Sequence, residues 1–312
     1  MVAPDAPYAL VCLGILLLVL IAVLVVRAMR KDRLEFARFK RFRTTARRKQ
    51  MYRKWLIDSI VTFGGSAIIV GLVVFQFVPL LQAEIDAVPW VAAARAGFAD
   101  AGAAAIVVVI TLIVVIVVGT VIAIVLARDT ESVAAIGDIQ ALLPRNRAEL
   151  GWGAALSVNA GIVEELLFRL ALPVLIYGVS RNALVAVVAS LLVFGVLHLY
   201  QGPVGVIAST LIGAFLMALY FASGTILVPI ILHALIDLRS LVLIPVVVGR
   251  VHRVDGGVSV LPKVAVRTAR GAHAAHGEHG GHAGPIAPVA PIAHIAPGDD
   301  PRRSAESDVV AP

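Results

Sequence analysis

Hydrophobic residues in this chain gather into long runs separated by short polar stretches. A helix needs about 20 apolar residues to cross the ~30 Å hydrocarbon core of a bilayer. Seven stretches meet or approach that length: approximately 7–26, 56–81, 101–127, 153–178, 183–200, 204–222 and 226–248. Lipid cannot satisfy exposed backbone groups, so spans made of these residues must be helical. The pattern predicts an all-α fold: a polytopic transmembrane helical bundle of about seven spans, multi-pass in the cell membrane.

Composition strengthens this. Sixty per cent of the 312 residues are hydrophobic, 15% are charged and the mean hydropathy is +0.94. Soluble domains hold roughly 45–50% apolar and about 25% charged residues. The excess is too large for one soluble core and must face lipid. The single cysteine, Cys12, lies in the first apolar run. It allows neither an internal disulfide nor a cysteine metal site.

Charge sets the expected orientation. Thirteen of the 27 Lys and Arg residues lie between Arg27 and Lys54. A basic cluster beside an apolar span marks a cytoplasmic loop facing anionic lipid, rather than a nucleic-acid site. The first run follows residues without positive charge and precedes no evident cleavage site, so it reads as an anchor, not a signal peptide. Counting alternately places 23 basic residues inside and only Arg95 and Arg181 in the outer loops, predicting an N-out, C-in protein. The aromatic-rich basic segment 34–55 reads either as a helix in the headgroup plane or as a solvated loop that only fixes topology.

Four regions follow from this pass: an N-terminal anchor with its basic segment (1–55), two accessory helices (56–127), a membrane core (128–248) and a tail (249–312). The tail is rich in Ala, Gly, Pro and His and is expected to be disordered. Its His273, His276, His279 and His282 recur every third residue, but interleaved glycines leave no organised metal site. No internal repeat stands out, which disfavours an inverted-repeat transporter.

The candidate chemistry is found by cost. An ionisable residue at the centre of a membrane helix costs roughly 2.5–3.5 kcal/mol, so each one retained is a candidate for function. The spans hold few: Glu164, Glu165 and Arg169 in the fourth, His198 in the fifth, and His233, Asp237 and Arg239 in the seventh. Glu165 and Arg169 stand in the favourable order for a helical ion pair, about 40° apart around the axis. Glu164 lies about 100° from Glu165 and about 140° from Arg169, leaving it as a carboxylate free for general-base work. A purely structural polar cluster would leave one acid over. Phe194 and His198 share a face, as do His233 and Asp237; Asp237 can accept the imidazole N–H and fix its tautomer, or serve only as a structural contact. No His-Glu-x-x-His motif and no glycine-flanked serine nucleophile is present. Two acids, two histidines and a third acid on three helices could activate a water for peptide hydrolysis, provided the helices pack around one cavity.

In order and context, Glu164-Glu165-x-x-x-Arg169, Phe194-x-x-x-His198 and His233-x-x-x-Asp237 resemble the CAAX protease and bacteriocin-processing (CPBP, or Abi) family, which includes the type II CAAX prenyl endopeptidase. Pro144-Arg145 and the run from Leu197 to Gly202 add to the likeness, which covers roughly residues 143–243. The resemblance implies an intramembrane endopeptidase acting on membrane-associated peptides or proteins, in CAAX-type or bacteriocin-related processing. It implies that Glu164 and His198 activate the water, and that His233 and Asp237 stabilise the oxyanion. Family members carry Asn or Asp at the last position, and an ionised Asp is no hydrogen-bond donor; Asp237 can instead orient His233. A divalent metal such as zinc, held by Glu164, His198 and His233, and a metal-free glutamate mechanism both remain open. The alternatives are a non-catalytic immunity or scaffold protein of the same fold and an ion- or proton-coupled transporter.

Overall fold

The computed structural model describes Pro4, residues 6–102 and 140–256, and isolated positions between 107 and 122. The expected third span, 101–127, falls mostly outside the described residues, as do 128–139 and the tail from residue 257 with its spaced histidines. The described residues belong to one compact unit, Met1–Arg267, and contain helices and no strand.

Seven helices carry the architecture of the described residues. They are α1 (Ala9–Phe39), α2 (Thr45–Asp86), α3 (Pro89–Ala101), α4 (147–180), α5 (Ala183–Leu197), α6 (Gly202–Ser223) and α7 (Leu227–Val247). Four stretches are long and apolar enough to cross a membrane: α1, α2, α7, and α6 with its preceding turn (Leu199–Ser223). The outward faces of these helices are apolar. On α1, Leu10, Val11, Ile15 and Leu18 are exposed, while Leu13, Leu20 and Leu24 pack inward. Such a surface fits a hydrocarbon solvent better than water. α4 is long enough to span but carries Glu164, Glu165 and Arg169 near its middle.

The expected fifth span is shorter than drawn from the sequence. α5 ends at Leu197 after 15 residues, about 22 Å at 1.5 Å per residue, which is less than the hydrocarbon thickness. His198 then leaves helical geometry (φ −90°, ψ 12°), a tight turn covers Leu199–Gln201, and Gly202 adopts φ +80°. That backbone suits only glycine, and Pro203 at the start of α6 is preset for a new helix. The break leaves His198 short of the far end of a full span.

α4 is the central helix. Its first half lies along α7 and the start of α2, and its second half along α5 and α1. Small residues bring the backbones together. A Cβ on Gly161 would sit 2.8 Å from Ala234 N and 2.9 Å from Ile230 O, and one on Gly153 would sit 2.8 Å from Leu241 O. Gly153, Ser157 and Gly161 thus form a small-residue stripe that lets α4 and α7 touch, a device common between membrane helices. Wide π-helical turns at Leu166–Ala171 in α4 and Arg239–Leu243 in α7 directly follow the two acidic motifs. Such turns recur at functional sites.

The basic segment is two helical ends joined by a turn, with most of its arginines exposed and Arg48 buried. The start of α2 packs on α4, and the end of α1 packs on the Leu199–Gln201 turn. Phe39 and Tyr52 are buried, with ring centroids 5.1 Å apart. Arg48 is fully buried: its Nε lies 3.0 Å from Glu149 Oε2, and its guanidinium donates to Tyr52 Oη and to the carbonyls of Ala141 and Leu143. The physical reason for the departure is pairing. With a carboxylate and three further acceptors around it, this one cation can leave the surface, which single-residue charge counting does not foresee.

Candidate active site

Three elements bring the candidate residues together: α4 supplies Glu164, Glu165 and Arg169; the end of α5 supplies Phe194 and His198; and α7 supplies His233 and Asp237. Phe194 is their common neighbour. The Arg169 guanidinium carbon lies 4.7 Å from its ring centroid. The His198 ring lies 4.8 Å away and the His233 ring 6.4 Å away. The broken end of the short α5 brings His198 and His233 to the same Phe194 ring.

Glu165 holds two partners. Its Oε1 accepts from His233 Nδ1 at 2.7 Å, and its Oε2 lies 3.0 Å from Arg169 Nε. The latter approach is Coulombic only, since neither Oε2 nor Nε makes a hydrogen bond among the described residues. Arg169 Nη2 donates to Gly213 O on α6 at 3.3 Å. Burial of these charges demands such pairing, because one left alone in a low-dielectric interior costs several kcal/mol. The sequence offers Asp237 as the carboxylate that fixes the tautomer of His233. Instead Asp237 Oδ2 is 3.9 Å from His233 Nε2, beyond hydrogen-bonding distance, and Glu165 binds the ring. The close backbone crossing at Gly161 and Ala234, about one turn away, is what brings Glu165 within reach.

His198 donates from Nδ1 to the carbonyl of Phe194 at 2.9 Å. A carbonyl only accepts, so Nδ1 carries the proton and the neutral ring presents a basic Nε2. Glu164 is half-buried and within Coulombic reach of His233, Asp237, Glu165 and Arg169. Among the described residues, no set of three or more His, Cys, Asp or Glu side chains is arranged to ligate a metal ion. Each histidine is bonded through its Nδ1, His198 to the Phe194 carbonyl and His233 to Glu165.

Two features escape sequence reasoning. Tyr200 stacks on His198, with ring centroids 6.1 Å apart and planes 28° apart; no spacing rule flags it. Glu149, paired with Arg48, lies ahead of the expected span 153–178, where no spacing or cost argument singles it out.

The protein is helical with lipid-compatible outer faces and a cluster of two glutamates, two histidines and an aspartate, of which Glu165 and His233 are buried. Residues 146–239 match the family model described as type II CAAX prenyl endopeptidase Rce1-like. Over that segment the chain is similar to the CAAX protease (CPBP) family. The matched segment spans α4 to the middle of α7 and contains every candidate site residue. No curated protein and no solved structure gives a match.

Proposed function

We propose that the chain is a multi-pass intramembrane endopeptidase that cuts membrane-associated peptides of the CAAX type through a water activated by Glu164 and His198. The observation that carries this reading is the meeting of His198 and His233 on one phenyl ring beside α4, with the protonated nitrogen of His198 fixed by a carbonyl. Glu164 takes a proton from the water while His198 Nε2 orients it, and the water oxygen attacks the scissile carbonyl carbon. When protonated on both nitrogens, His233 donates through Nε2 to the developing oxyanion while Glu165 holds its Nδ1. The C–N bond then breaks, and the proton held by Glu164 passes to the leaving amine. Arg169 neutralises Glu165, Phe194 sets the spacing of the rings, and Asp237 adds negative potential beside His233. The catalytic core is residues 128–248, in a chain whose N-terminus is outside and whose C-terminus is inside. Exposed Arg33, Arg38, Arg41, Arg43, Arg47 and Arg53 on the basic segment fit an anionic lipid surface.

The test is cleavage of a fluorescence-quenched farnesylated CAAX peptide by the full chain in detergent, with Glu164→Gln as control and with and without chelator. Cleavage lost in Glu164→Gln supports the reading. Loss of ion flux without any proteolysis would favour a transporter, and no cleavage and no flux a non-catalytic scaffold.

A further inference from the structure

Besides Phe194, tilted 52° at 4.8 Å, the His198 ring has a second aromatic neighbour, Tyr200, 28° from parallel at 6.1 Å. In a continuous helix, residues two apart point away from each other. Here the helix stops at Leu197, and the turn at Leu199–Gln201 folds Tyr200 back toward the imidazole. Tyr200 is itself held from two sides. Its hydroxyl accepts from Gln201 Nε2 at 2.9 Å, and the buried Phe36 meets its ring edge-on at 5.4 Å and 67°. Phe36 belongs to the end of α1, far outside the segment 146–239 that carries the family match. Tyr200 also lies within Coulombic reach of Glu164 and Asp237 on one side and Asp32 of α1 on the other.

We propose that Tyr200 is a positioning residue that clamps the His198 ring against Phe194, and that α1 takes part in the site by buttressing Tyr200 through Phe36. The assignment rests on the proposed role of His198. An imidazole bonded only through Nδ1 can still rotate about that bond, which swings Nε2 off the water. Contacts with two aromatic rings, Phe194 and Tyr200, restrict that freedom. Offset ring contacts favour the clamped state by a factor of about two to ten, and small misplacements of a catalytic group cost up to about a hundredfold in rate.

The test uses the full chain in detergent and two readouts. The first is kcat and KM on the quenched farnesylated peptide. The second, independent of activity, is the rate at which diethyl pyrocarbonate acylates His198, followed by mass spectrometry relative to the exposed His252. Tyr200→Ala is expected to lower kcat about tenfold with KM within about twofold, and to raise relative His198 labelling about fivefold, as the clamp energies imply. Tyr200→Phe, which keeps the ring, recovers both to within about twofold of wild type, and Phe36→Ala shifts both in the direction of Tyr200→Ala. If Tyr200→Ala also exposes the buried His233 to labelling, the fold has loosened, and Tyr200→Leu replaces it and is read the same way. Unchanged labelling and kcat in the folded Ala or Leu variant overturns the proposal, as does Tyr200→Phe losing as much as Tyr200→Ala. A wild-type protein that cleaves nothing would defeat the peptidase reading, while the labelling ratio would still decide the clamp.

Discussion

Removing the carboxylate of Glu149 is expected to unfasten the start of α2 from α4. In the native protein Glu149 and Arg48 are both fully buried, and the pair closes at 3.0 Å. Glu149 Oε2 also accepts from the backbone N–H of Arg145 at 3.1 Å. Glu149→Ala leaves the Arg48 cation with only Tyr52 Oη and two carbonyls for company. Breaking a buried ion pair by deleting one partner costs about 3–5 kcal/mol, because the survivor is charged and desolvated. Arg48→Met is expected to cost a similar amount, leaving Glu149 unpaired. The double variant Arg48→Met/Glu149→Ala removes both charges, so its cost should be no greater than that of the worse single variant. Remaining losses are neutral hydrogen bonds worth about 1 kcal/mol each. Equilibrium unfolding in mixed micelles, read by helical circular dichroism, gives the three free energies and their coupling. Single variants each costing under about 1 kcal/mol, or a double variant equal to the sum of the singles within about 0.5 kcal/mol, would refute the claim that the pair is buried and mutually dependent.

Other expectations concern the site itself. Glu164→Gln should lower cleavage by at least about a hundredfold, within the range for loss of a general base, while leaving the unfolding midpoint near wild type. Gly161→Val should destabilise by about 1–3 kcal/mol through overpacking, since its Cβ has backbone atoms 2.8–2.9 Å away. The same variant should reduce cleavage by parting His233 from Glu165, and an unchanged midpoint would contradict the close crossing. Asp237→Asn keeps the shape beside His233 and should retain cleavage within about tenfold, an effect of one weak polar contact; a loss equal to that of Glu164→Gln, measured on the same peptide, would give Asp237 a direct chemical role.

Much of this protein is legible in one dimension, because lipid imposes strict terms on a chain. Long apolar runs disclose the membrane helices, and the high cost of charge within them singles out Glu164, Glu165, Arg169, His198, His233 and Asp237. Spacing brings Glu165 and Arg169 onto one helical face, a local relation that periodicity alone supplies. The small-residue stripe of Gly153, Ser157 and Gly161 also stands in the sequence at four-residue intervals, though hydropathy passes over it. Tertiary structure decides the rest. Only the crossing of α4 and α7 gives Glu165, rather than Asp237, to His233. Only the break after Leu197, set by the glycine backbone at Gly202, brings His198 and His233 to the same Phe194 ring and turns Tyr200 toward His198. Only packing reveals that Arg48, one of thirteen clustered cations, is an interior residue. These are relations between helices far apart in sequence, and a pattern that reports each helix against its solvent carries no information about which face meets which neighbour.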